Sequence, residues 1–132
     1  MLGKKKFQKE QKRLRNSFKH AFEGIGACFQ SEQNMKIHVA ILCLVVLGGV
    51  FFQITTNEWL ICMILFGLVL SAELMNTAIE TTIDLCMPNI HPKAKLAKDT
   101  AAGAVLVLAM ISAMIGFLIF IPKLIDQLET LF

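Results

Sequence analysis

Glu73, Asn76, Glu80 and Asp84 lie within and just beyond the end of an apolar run that begins at Trp59. At about 100° per residue the four fall within an arc of about 80°, so a helix would carry them on one face, with Thr77 beside them. A carboxylate inside a membrane span costs roughly 2.5–3.5 kcal/mol at mid-bilayer and is kept where it faces protein, water or a bound cation. Acidic groups near Lys, His and Arg at a membrane boundary suit phosphate chemistry with Mg²⁺, which takes one or two protein carboxylates and completes its shell with substrate phosphates. Glu32 and Glu80 are placed to supply those carboxylates, and Lys98 and Arg13 to neutralise phosphate oxygens. Glu73 is the deepest carboxylate and suits a general base for a lipid hydroxyl. The chain has no Walker A motif and no soluble-kinase signature, so a nucleotide site would have to be assembled from scattered side chains.

The elements that must position these residues are helical and membrane-embedded. The chain has 132 residues, of which 55% are hydrophobic and 17% charged, more apolar sequence than a soluble domain of this length can bury. Residues 1–30 carry Lys4, Lys5, Lys6, Lys9, Lys12, Arg13, Arg15 and Lys19, with Phe7, Leu14, Phe18, Phe22, Ile25 and Phe29 at helical spacing. This predicts an amphipathic helix lying in the headgroup region of an anionic leaflet. Ser31 is placed to cap the helix that follows. Membrane helices are expected over 37–54, 59–86 and 98–121. Gly48 and Gly49 would allow close contact, and Trp59 would serve as an interfacial anchor. Residues 87–97 are expected as a loop, since Pro88 and Pro92 break helices. Cys28, Cys43, Cys62 and Cys86 have no metal-ligand spacing and suit small packing residues.

Lys and Arg number nine through Lys36, none in the first loop, three in the second loop and one in the tail. That bias puts the N-terminus and second loop in the cytoplasm. Glu32, Glu80, Asp84, His91, Lys98 and Asp99 then converge on the cytoplasmic face, with Glu73 slightly deeper. On the residues alone three readings stand: a lipid-phosphate enzyme, a small proton or cation transport subunit, and a structural oligomer whose stripe glues helices together. The clustering of acidic residues at one membrane face counts against a transport path, which would have to cross the bilayer.

The pattern Glu73-Leu-Met-Asn76-Thr77-Ala78-Ile79-Glu80, then Asp84, then Ala97-Lys98-Asp99 followed by Ala101-Ala102-Gly103-Ala104, resembles the signature of the prokaryotic diacylglycerol kinase family, which includes undecaprenol kinases of Gram-positive bacteria. The resemblance extends over roughly Arg13 to Ile121. It implies one membrane-embedded lipid kinase domain, multi-pass in the bacterial plasma membrane, that moves the γ-phosphoryl of ATP to a lipid alcohol with Mg²⁺ as cofactor. It also implies a homotrimer with shared active sites. Oligomerisation would meet a physical need as well, if three helices cannot shield the polar stripe from lipid. No nucleic acid is implied as a partner.

Carried over by position, Glu73 matches the catalytic base, and Glu32 and Glu80 match the metal ligands. Arg13, His20, Glu32, Asn76, Glu80, His91, Lys98 and Asp99 match nucleotide contacts. Arg13, Glu73 and Ala102 match lipid contacts, as do Gly24, Glu32 and residues 34–38. Asp84 is a supporting residue, either a partner of Lys98 or a group behind the site. The chain departs from the enterobacterial branch in having no Tyr; His20 and Ile90 stand at those positions. The segment Asn89-Ile90-His91-Pro92 is closer to the Gram-positive branch, which favours undecaprenol over diacylglycerol as the substrate.

Overall fold

The computed structural model describes the backbone of residues 2–130 and the side chains of residue 4 and of residues 6–130. Met1, Leu131, Phe132 and the Lys5 side chain of the expected basic face lie outside the described residues. The described chain has four helices, α1 (Leu2–Ser31), α2 (Gln33–Phe51), α3 (Thr56–Cys86) and α4 (Pro92–Glu129). Two compact units are present, residues 1–33 and residues 34–132.

The first unit is essentially α1. Its apolar stripe is exposed along its length, from Phe7 through Phe18 to Phe29. Ser31 ends α1 and does not cap α2: its hydroxyl donates to the Cys28 carbonyl at 3.4 Å and to Glu32 Oε1 at 3.2 Å. The Cys28 carbonyl also accepts the Glu32 N–H at 2.9 Å, so the helical hydrogen bonding runs past Ser31.

In the second unit α3 and α4 form a long antiparallel αα-hairpin. All three of its helices, α2, α3 and α4, are long and apolar enough to cross a membrane. The packed centre lies at the end remote from the 87–91 turn. There Ile54, Cys62 and Ile119 are buried, with Val45, Phe52, Trp59, Phe66, Ile115 and Phe120 packed against them. Gly48 and Gly49 admit aromatic rings instead of a helix backbone: a Cβ on Gly49 would lie 2.7 Å from the Trp59 indole, and one on Gly48 3.3 Å from Phe120. Cys28 and Cys62 are buried, whereas Cys43 and Cys86 are exposed and do not pack inside the chain.

Local sequence explains the helix ends. Thr55 and Glu58 make a reciprocal capping box at the start of α3, with Thr55 N–H donating to Glu58 Oε2 at 2.6 Å and Glu58 N–H to Thr55 Oγ1 at 3.3 Å. Gln53, just before it, takes φ 48° to reverse the chain. The third membrane helix begins at Pro92, not at Lys98, and continues through Pro122 to Glu129. Proline at the first helical position loses no hydrogen bond that the helix would make, so Pro92 starts α4 where a break is expected from sequence.

Two ion pairs among the described residues tie the ends of α3 to α4. Lys98 Nζ lies 2.8 Å from Asp84 Oδ1, and Lys123 Nζ lies 3.3 Å from Glu58 Oε2. Glu58 and Asp84 are about 39 Å apart along α3 at 1.5 Å per residue. That matches a bilayer of about 40–45 Å including its headgroups, so the pairs bracket the apolar span.

Candidate functional site

The polar stripe belongs to the buried face of α3. Cys62, Val69, Glu73 and Asn76 are its buried residues, at offsets of seven, four and three that keep one helix face turned inward. Glu80 and Ile83 continue that face half-buried, and Asp84 beside them is exposed. The threonines within the stripe turn their hydroxyls onto the helix itself, Thr77 to the Glu73 carbonyl at 3.0 Å and Thr81 to the Thr77 carbonyl at 2.8 Å.

Glu73 is 1% exposed and Asn76 6% exposed in the single chain. The chain thus covers the two deepest members of the stripe, while Glu80 stays half-buried and Asp84 exposed. Asn76 Nδ2 donates to Glu80 Oε1 at 3.0 Å, one helical turn on. Asn76 Oδ1 is buried without a hydrogen-bond partner among the described residues.

Below Glu80 the helix ends open into a cavity of about 420 Å³ at the 87–91 turn, lined by Glu80, Asp84, His91, Lys98, Asp99 and Ala102 among others. The α3–α4 hairpin brings these together because Asp84 and Lys98 face each other across the turn. Both Asp84 oxygens accept from Lys98 Nζ, at 2.8 and 2.9 Å. Asp99 pairs with Lys95 one turn earlier on α4. His91 is the N-cap of α4, its Nδ1 accepting from the Lys93 N–H at 3.2 Å. Lys95 also lines the cavity, and a loop assignment for 87–97 hides its i, i+4 relation to Asp99.

Arg13, His20 and Glu32 belong to the other unit. Arg13 is exposed, and its carbonyl accepts from the Ser17 hydroxyl at 3.0 Å. His20 Nδ1 is 3.0 Å from Glu23 Oε2. Glu32 is half-buried and accepts from Ser31. A second cavity of about 370 Å³ runs between α2, α3 and α4, lined almost wholly by apolar groups such as Val69, Phe66 and Phe120, with His38 and Ser112 as its polar members.

The cavity at the turn offers hard oxygen donors, Glu80 and Asp84, together with an ammonium, Lys98. These fit Mg²⁺ carried in with a polyphosphate. Among the described residues no three His, Cys, Asp or Glu side chains gather as a metal cluster; a cation sharing its shell with phosphates needs fewer protein ligands.

Residues 19–120 match the family described as Prokaryotic diacylglycerol kinase. The chain belongs to that family. Its similarity to the undecaprenol kinase of Bacillus subtilis (strain 168) is 46% identity over 123 residues, covering 93% of this chain and all of the relative. It is 32% identical over 111 residues to a diacylglycerol kinase of Synechocystis, covering 83% of this chain and 63% of that protein. A diacylglycerol kinase of Haemophilus influenzae is 27% identical over 94 residues, covering 71% of this chain and 80% of that one. With three helices able to span a bilayer and this family membership, the chain is a membrane protein and a lipid kinase, and the transport and structural readings fall away.

Proposed function

We propose that this chain transfers the γ-phosphoryl group of ATP to undecaprenol, giving undecaprenyl phosphate and ADP. The observation that carries this reading is identity of 46% along the entire length of an undecaprenol kinase. Diacylglycerol is the second reading, favoured by the family's description and by the Synechocystis relative. The lipid hydroxyl oxygen attacks the γ-phosphorus as the bond to the β–γ bridging oxygen breaks, and the hydroxyl proton passes to the Glu73 carboxylate. Because Glu73 is occluded, the side chains covering it must yield for the lipid hydroxyl to enter. Lys98, with Arg13 assisting, offsets charge on the transferred group. Asp99, His91 and His20 contribute to holding the nucleotide, and Ala102 borders the lipid. Mg²⁺ held by Glu80 and Glu32 would supply charge neutralisation at the β- and γ-phosphates.

The site faces the cytoplasm of a bacterial plasma membrane, as the Lys and Arg bias supports, and α1 lies in the headgroup layer, as its exposed aromatic stripe supports. Assembly as a homotrimer rests on the family resemblance. The test is a phosphoryl-transfer assay in mixed micelles with Mg²⁺ and γ-labelled ATP. Label in undecaprenyl phosphate, absent with Glu73→Gln, supports the proposal. Label in no lipid overturns it.

A further inference from the structure

We infer that Asn76 is a positioning residue that acts through Glu80 and does not touch the nucleotide. Three observations meet on this side chain. Asn76 does not line the cavity at the turn, whereas Glu80 does. Its amide nitrogen donates to Glu80 Oε1 at 3.0 Å. Its oxygen lies buried with no hydrogen-bond partner among the described residues. Only the NH₂ end of a carboxamide can face a carboxylate oxygen, so contact with Glu80 fixes the amide's orientation and turns Oδ1 away.

The consequence is directional. Glu80 sits on the last buried turns of α3, and an unrestrained glutamate there has three side-chain torsions to set. Asn76 engages one of its oxygens, which leaves Oε2 for the occupant of the cavity. A group behind a ligand that fixes its orientation acts on the bound cation without contacting it, as partners of metal ligands do in general. Asn76 can play this part because it is itself held in the packed face of α3, one turn below Glu73. The buried oxygen is the cost of keeping a carboxamide there, since an apolar residue would fill the position without leaving an acceptor unpaired. This inference rests on the reading of Glu80 as a cation-binding carboxylate.

The test uses full-length protein purified in detergent, with Mn²⁺ as the probe and its binding followed by the electron paramagnetic resonance of free Mn²⁺. Four proteins are compared: wild type, Asn76→Leu, Glu80→Gln and the double variant, with Asn76→Ala as a second substitution where leucine is not accommodated. Asn76→Leu is expected to weaken Mn²⁺ binding by about 10–100-fold, the usual effect of removing a ligand's partner. The KM for ATP at saturating Mg²⁺ should stay unchanged. In the Glu80→Gln background the same substitution should have no further effect on Mn²⁺, which a merely structural role would not produce. A raised KM for ATP with Mn²⁺ affinity intact would make Asn76 a nucleotide contact and overturn the inference. So would an equal loss of Mn²⁺ affinity with and without Glu80. Wild-type Mn²⁺ affinity in Glu80→Gln alone would remove the underlying reading of Glu80, a failure that the single variant separates from failure of Asn76's role.

Discussion

Lys98 Nζ sits 2.8 and 2.9 Å from the two oxygens of Asp84, across the turn that joins α3 to α4. The pair does two things at once. It closes the hairpin at the end where the cavity lies, and it holds an ammonium at the cavity wall. These roles separate in a charge exchange. Asp84→Asn should lower both thermal stability and turnover. The exchanged protein, Asp84→Lys with Lys98→Asp, should regain stability because the pair reforms with its sign reversed, yet stay inactive because the cation has moved to the other helix. Thermal unfolding and a kinase assay on the same preparations check this. Recovery of activity in the exchanged protein would make Lys98 a structural clamp alone.

Glu73 is the deepest carboxylate of the stripe, buried in the chain and about 16 Å along α3 from Asp84 at 1.5 Å per residue. A role confined to the lipid hydroxyl separates chemistry from nucleotide binding. Glu73→Gln should lose turnover by about 10²–10⁴-fold, the usual contribution of a positioned general base. Binding of ATP, measured by titration with a fluorescent analogue, should survive. Loss of nucleotide binding with normal turnover of what does bind would assign Glu73 elsewhere.

Gly49 tests the packed end remote from the site. A Cβ there would lie 2.7 Å from two atoms of the Trp59 indole and 3.0 Å from Ile54 Cδ1. Overpacking of this kind costs about 1–3 kcal/mol. Gly49→Ala should therefore unfold at lower temperature, and adding Trp59→Phe should restore part of the loss by shortening the ring. An unchanged unfolding temperature in Gly49→Ala would mean that the indole shifts freely.

The stripe Glu73-Asn76-Glu80-Asp84 was legible because helical spacing is a local property, and polar residues are conspicuous in so apolar a run. The three apolar helices were legible from length and composition. What sequence reading lost depends on context. Pro92 reads as a breaker, but at the first position of α4 it costs nothing, so the helix begins six residues before Lys98. Thr55-x-x-Glu58 carries the capping-box spacing, and it starts α3 at Thr56, three residues before Trp59. The pairing of Glu58 with Lys123 joins residues far apart in sequence and follows only from the antiparallel packing of α3 on α4. The hydrogen bond from Asn76 to Glu80 does not follow from spacing, which shows which face a residue shares and not which neighbour it touches.

The central claim is that this membrane kinase acts on undecaprenol. The most direct measurement offers undecaprenol and diacylglycerol at equal mole fraction in the same mixed micelles, with Mg²⁺ and γ-labelled ATP, and takes the ratio of initial rates into the two products. Faster labelling of undecaprenyl phosphate than of phosphatidic acid is the expected result. Faster labelling of phosphatidic acid would contradict it and make diacylglycerol the preferred substrate of the same site.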